Sequence, residues 1–88
     1  PQGEPLTRHQ IHSFDSLRRD ILDAGLVRPG TVLFHASNSA ATLDYPEAHF
    51  DVVRPGIAVY GQYPSAQIRT RLPLRPAMSL KTRVVLLK

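Results

Sequence analysis

Several features that would narrow the class of this protein are missing from its sequence. The 88 residues include no cysteine, which excludes a disulfide framework and a thiolate metal site. The apolar runs are far shorter than a bilayer-spanning helix, and the opening "PQGEPLTRHQ" has no apolar core of a signal peptide. We therefore expect a soluble chain with no membrane association. A chain of this length makes one domain at most, with a marginal core of its own, so we expect it to be part of something larger.

Acidic residues are also scarce, but the resulting positive charge is not patterned. Seven acidic residues face eleven basic ones, for a net charge of +4. The basic residues are dispersed from Arg8 to Lys88 without alternating aromatics, which is typical of an ordinary solvated surface and predicts no nucleic-acid partner. His9 and His12 are spaced to share a helix face, but the pattern offers no third ligand. We predict no metal site.

The first segment has the features of an amphipathic helix. "TRHQ" fits a capping box of Thr7 and Gln10, so the helix is predicted to begin at Arg8. Gly25 is typical of a left-handed C-cap, so the helix is predicted to end near Ala24. One apolar stripe runs along it, formed by Ile11, Phe14, Leu17, Ile21 and Leu22.

An alternation of strands and helices follows. "TVLFHA", Thr31–Ala36, is a continuous β-branched and aromatic run of the kind buried in parallel sheets. A short helix is predicted from Ser39 to a point before Pro46, and a second strand at Phe50–Arg54. Strands joined by a helical crossover are normally parallel, so we expect an α/β fold with these two strands as parallel neighbours.

The rest of the chain changes character twice. Residues 62–76 carry three prolines with arginines between them and read as a linker. Residues 77–88, "AMSLKTRVVLLK", alternate as a strand, and the chain stops inside that pattern. A lone strand leaves its ladder unpaired, so we expect the sequence to be truncated there.

Polar residues follow both predicted strands. The first is followed by Ser37, Asn38 and Ser39, and the second by Arg54, Pro55, Gly56 and Ile57. The ends of neighbouring parallel strands meet on one face, where the Ser39 hydroxyl and the Gly56 and Ile57 amides would make a phosphate cradle. The alternative is that "RPG" is a plain turn and that Asn38 and Ser39 only cap a helix. Capping a helix and binding phosphate are compatible roles.

The stretch "HASNSAATLDYPEAHFDVVRPGIAVYG", His35 to Gly61, closely resembles the alanine racemase family of pyridoxal-phosphate enzymes. The resemblance rests on the Asn-Ser-Ala signature, on the Val-Arg-Pro-Gly-Ile-Ala block and on the spacing between them, and it extends more loosely to both sides. It implies the C-terminal part of a (β/α)₈ TIM-type barrel at residues 1–61, followed after the linker by the first strand of a C-terminal β domain at residues 77–88.

The resemblance also implies roles for individual residues. Ser39 and the amides of Gly56 and Ile57 would bind the phosphate of pyridoxal 5′-phosphate, Arg54 would contact the pyridine nitrogen, and Asn38 would shape the same pocket. The Schiff-base lysine and the catalytic tyrosine of the family lie outside this chain. No catalytic residue is therefore assigned, and Lys81 and Lys88 are not catalysts.

For the parent protein, the resemblance implies a cytoplasmic, homodimeric isomerase. It would interconvert L- and D-alanine through a pyridoxal-phosphate aldimine and supply D-alanine for peptidoglycan, while the fragment alone would be inactive. Three alternatives stay open: a non-catalytic pyridoxal-phosphate-binding barrel protein, a serine or broad-spectrum racemase, and a small basic binding module that only mimics the motif. Tyr60 and His35 are expected to be packing or pocket-edge residues.

Overall fold

Helices and irregular segments make up the structure, a computed structural model that describes residues 3–88. Two α-helices, α1 (Glu4–Asp23) and α2 (Ser39–Asp44), are joined by an extended segment. Two short 3₁₀ turns follow, at Pro46–Ala48 and Ile57–Tyr60. The molecule is elongated, measuring 71 × 32 × 24 Å, because residues after the second 3₁₀ turn run on without regular structure.

The first helix begins earlier than predicted and ends where predicted. It starts at Glu4 rather than Arg8, with Gly3 as N-cap and a proline in the first turn. Proline is tolerated there because the N–H that it lacks would have no partner within the helix. Thr7 therefore lies inside the helix, where its hydroxyl donates to the Gly3 carbonyl at 3.0 Å, and the predicted capping box is wrong. The C-cap prediction is confirmed, because Gly25 has a φ of +69°.

The predicted strands Thr31–Ala36 and Phe50–Arg54 do not form regular strands among the described residues. Their ends are joined by one parallel bridge, between Ser37 and Val53. The parallel direction agrees with the prediction. The pairing stays short because parallel strands are stable in larger sheets that are covered on both faces, whereas two strands alone are marginal. Val32 and Leu33 accordingly stay exposed, at 40% and 65%. The predicted α/β class is thus only partly realised within this chain.

The predicted strand at residues 77–88 is also absent. Its apolar side chains are exposed, with Leu80 at 101% and Val85 at 92%, because no described segment pairs with it. The preceding residues behave differently from a free linker: Ile68 is buried, and the Ala77 N–H donates to the Tyr60 carbonyl at 3.0 Å. The residues from 62 to 77 therefore fold back on the second 3₁₀ turn.

A small core lies where α2 meets these returning segments. Leu43, Ala48 and Ile68 are its buried apolar residues, and Ser37 and Ser39 are buried with them. α1 packs alongside through an aromatic cluster, in which the Phe14 ring lies 6.5 Å from Phe34 and 5.0 Å from Phe50 between centroids. No residue of α1 is fully buried, so α1 covers one side of the core and leaves much of its own stripe open.

Candidate phosphate site

Two chain segments that are distant in sequence meet at one end of the molecule. The Ser37–Val53 bridge aligns them in parallel, and the Arg54 N–H donates to the Ser37 carbonyl at 2.8 Å. Asn38 and Arg54 therefore leave the bridge at the same end. The polar residues that follow each segment are brought next to each other by these backbone hydrogen bonds.

Asn38 starts α2. Its backbone is extended and its side-chain oxygen accepts from the Ala41 N–H at 3.0 Å, which is the bond of an N-cap residue. Its carbonyl also accepts from the Thr42 N–H at 2.8 Å. Asn38 thereby sets the direction in which the next residue, Ser39, points.

Ser39 is the residue on which the site converges. It is 5% exposed, and its Oγ accepts from the Gly56 N–H at 2.7 Å and from the Ala58 N–H at 3.3 Å. The Ile57 N–H, the first of the second 3₁₀ turn, makes no hydrogen bond with any residue between 3 and 88. A buried hydroxyl, two amides aimed at it and a third amide beside them thus share one small region.

Gly56 keeps this region accessible. A Cβ at Gly56 would lie 3.8 Å from Ser39 Oγ, in ordinary contact with it. The absence of that side chain leaves space for an oxyanion directly against the Gly56 amide. A hydroxyl with adjacent backbone amides is a donor set that suits phosphate oxygens, so the chemistry of these residues fits a phosphate group.

Arg54 lies at the edge of the same region. Its side chain is exposed and forms neither a hydrogen bond nor an ion pair with the described part of the chain. The guanidinium can only donate, so it is suited to an acceptor on a bound molecule.

The sequence groups Ser37 with Asn38 and Ser39 after the first predicted strand without giving it a separate task, and the structure shows what it does. It is fully buried, and its hydroxyl donates to the Ala48 carbonyl at 2.5 Å while its own carbonyl accepts from Arg54. One residue thus ties the 3₁₀ turn at Pro46–Ala48 to the end that carries Arg54. Nothing in the sequence distinguished Ser37 from Ser39.

Asp44, the last residue of α2, was also missed. Its carboxylate accepts from the Arg69 N–H at 2.9 Å and from the Thr70 N–H at 2.8 Å. Burial raises the pKa of Asp44, but the two backbone donors and the Arg69 charge outweigh it and leave the pKa below its ordinary value. The sequence held no signal for this contact, because Asp23 ends α1 in the same way and accepts no hydrogen bond from the described residues.

An ionic cluster connects the start of α1 with the same returning segment. The Glu4 carboxylate pairs with Arg8 at 3.0 Å and with Arg69 at 3.3 Å. The Arg8 hydrogen bond is the main reason that the pKa of Glu4 is lowered. Both guanidinium groups also lie over the Tyr45 ring, at 5.5 and 5.7 Å from its centroid. Residues 69–70 are therefore held to both helices.

The described residues show neither a metal cluster nor a membrane helix. No group of three or more histidine and carboxylate side chains between residues 3 and 88 is arranged to hold a metal ion. No helix in that range combines the length and the apolar character needed to cross a bilayer.

Comparison with known proteins bears on the same region. Residues 1–64 match the family described as alanine racemase, N-terminal domain. The chain is 49% identical over 82 residues to an alanine racemase of Treponema denticola, covering 93% of this chain and 21% of that protein. It is 50% identical over 80 residues to one of Desulfosudis oleivorans, covering 90% and 20%. It is 46% identical over 83 residues to one of Methanococcus maripaludis, covering 93% and 21%. The chain spans about a fifth of the length of these curated relatives. No solved structure gives a significant match.

Proposed function

The chain belongs to the alanine racemase family through that family's N-terminal domain, and on this premise we propose that it holds the cofactor phosphate in a pyridoxal-phosphate-dependent amino-acid racemase. The proposed reaction is the interconversion of L- and D-alanine, which supplies D-alanine for peptidoglycan. The observation that carries the proposal is the convergence of the Gly56 and Ala58 amides on the buried Ser39 hydroxyl.

Each proposed site residue has a distinct task. Ser39 and the amides of Gly56 and Ile57 bind the phosphate, and Asn38 holds Ser39 in place by capping α2. Pyridoxal phosphate, when bound, supplies an electron sink that makes the α-proton of an amino acid acidic. Arg54 donates to the pyridine nitrogen, and because a guanidinium stays protonated, that nitrogen carries no proton of its own.

The proposed role also has an architectural side. We place residues 1–61 in the last β/α units of a (β/α)₈ barrel, residues 62–76 in a linker and residues 77–88 at the start of a β domain. In such barrels the phosphate-binding loops commonly follow the last two strands. Ser39 and Gly56 follow the two predicted strands of this chain in the same way. The lysine and tyrosine that act on the substrate come from other parts of a cytoplasmic, homodimeric parent.

A segment exchange tests the proposal. In the Treponema denticola relative, the matched segment of 82 residues is replaced with that of this chain, and racemisation of alanine and cofactor content are measured. We expect an active chimera with bound pyridoxal phosphate. Ser39→Ala should weaken cofactor retention, whereas Ser16→Ala, an exposed serine on α1, should not.

The outcomes separate the candidate functions. A chimera that folds but takes up no pyridoxal phosphate would contradict the proposed phosphate site. A chimera that holds the cofactor and racemises no amino acid would instead favour a non-catalytic pyridoxal-phosphate-binding protein. Comparison of alanine with serine as substrate reports the substrate range.

A further inference from the structure

The Ser39 hydroxyl accepts hydrogen bonds at a position built for a stronger acceptor. The amides of Gly56 and Ala58 both point at its oxygen. Neither amide is used by the 3₁₀ turn at Ile57–Tyr60, whose first bond runs from the Val59 N–H to the Gly56 carbonyl at 3.0 Å. Both are therefore available to whatever oxygen occupies this position.

A serine oxygen is only an adequate partner for two such donors. Backbone N–H groups bind an anionic oxygen about twice as strongly as a neutral one. The Ser39 O–H itself donates to no acceptor among the described residues, so it too is free to donate. The same hydroxyl thus satisfies two amides as an acceptor and keeps one unused donor.

We propose that the Ser39 hydroxyl is an internal substitute for a phosphate oxygen, and that the Ala58 N–H is a further donor of the phosphate site. In the phosphate-free protein, Ser39 accepts from Gly56 and Ala58. When phosphate arrives, its oxygen takes over both amides and Ser39 changes from acceptor to donor. This inference rests on the proposed phosphate site and adds to it a third backbone amide and a second role for Ser39.

The physical reason for such a substitute is the cost of an empty site. Without the Ser39 oxygen, the exposed Gly56 and the half-buried Ala58 lose the two hydrogen bonds that hold their loop against α2. A side chain that satisfies both amides in the absence of phosphate keeps the loop in its binding conformation. Because the hydroxyl is a weaker acceptor than phosphate, it gives up both bonds on binding.

Amide hydrogen exchange at single-residue resolution in the cofactor-free chimera tests this. We expect the Gly56 and Ala58 amides to be protected in the parent chimera and to exchange about tenfold faster in Ser39→Ala, which corresponds to the loss of about one hydrogen bond. The Val59 amide, bonded to the Gly56 carbonyl, should not change. Equal exchange of Gly56 and Ala58 in the two proteins would overturn the substitute role.

Inorganic phosphate supplies the second half of the test. It should restore slow exchange at both amides in Ser39→Ala, while pyridoxal, which has no phosphate, should not. Protection of Gly56 without Ala58 would overturn the assignment of Ala58. If Val59 also exchanges faster in Ser39→Ala, the pair Ser39→Thr and Ser39→Val is compared instead, because threonine and valine differ only by a hydroxyl in place of a methyl group. Protection of the two amides in Ser39→Thr but not in Ser39→Val supports the proposal. Equal exchange in these two variants overturns it.

These measurements do not depend on turnover. A chimera without racemase activity would count against the proposed reaction but would still report on the two amides. An active chimera in which Ser39 does not protect them would remove this inference and leave the proposed function in place.

Discussion

Replacement of Asp44 by asparagine should release the segment around residue 69 from α2. The Asp44 carboxylate accepts from two backbone amides, at 2.9 Å and 2.8 Å, and its side chain is 7% exposed. Asparagine keeps one carbonyl oxygen but loses the charge and the second acceptor. A hydrogen bond to a charged group is worth about 1.5–3 kcal/mol against about 1 kcal/mol for a neutral one. We expect a loss of about 1–3 kcal/mol, which is a factor of about 5 to 150 in the local opening equilibrium.

Exchange of the Arg69 and Thr70 amides in the isolated chain measures this loss directly, since both protons are held by Asp44. The matched control is Asp23→Asn. Asp23 is the last residue of α1, as Asp44 is of α2, but it is exposed and accepts no hydrogen bond from the described residues. Its replacement should leave exchange at 69 and 70 unchanged.

The pH dependence gives a second check on the same contact. The pKa of Asp44 in the folded chain lies below its ordinary value of 3.8. A carboxyl with a lowered pKa contributes stability that is complete above the unfolded pKa and lost as the pH falls through the folded one. The difference between the wild-type chain and Asp44→Asn should therefore be complete above pH 3.8 and shrink below it. Equal exchange in the two chains at neutral pH would refute the reasoning.

Further outcomes are expected for two glycine substitutions, for the isolated chain and for a substitution of Arg54. Gly61→Ala should cost more than 3 kcal/mol of stability, about the cost of a severe core substitution, because Gly61 has a φ of +84° and an added Cβ would lie 1.9 Å from the Arg75 carbonyl oxygen. Gly25→Ala, with φ +69° and open space, should cost only about 1 kcal/mol in the same thermal unfolding assay. The isolated chain should not racemise alanine when pyridoxal phosphate is supplied, which a coupled D-alanine assay can contradict. Arg54→Glu in the chimera should slow racemisation by about tenfold or more while cofactor content is kept; unchanged turnover would show that Arg54 does not act on the cofactor ring.

Local features of the fold could be read correctly where one or two residues decide them. The end of α1 is an example, because a glycine that adopts positive φ closes the helix whatever surrounds it. The start of α1 shows the limit of this reading, since the capping box of Thr7 and Gln10 indicated a beginning at Arg8. The helix instead begins at Glu4, has Pro5 in its first turn and continues through Thr7, because a helix extends as long as the next residues tolerate helical geometry.

Strand formation could not be read in the same way. The segments at Thr31–Ala36 and Phe50–Arg54 have strand composition and run parallel, yet only one bridge forms. A strand is stabilised by neighbours on both sides and by layers above and below, and no described residue supplies them. The pattern thus indicated the direction of pairing but not its extent.

The candidate site was also predictable only in part. Its residue types, a serine and a glycine each following an apolar run, were visible in the sequence. The distance of 2.7 Å between Ser39 Oγ and the Gly56 amide, the approach of Ala58 and the hold of Asp44 on residues 69 and 70 were not. Chemistry is a property of the residue, so composition and order reveal it. Proximity between residues 17 or 25 positions apart depends on how the whole backbone closes on itself, and the fold sets it.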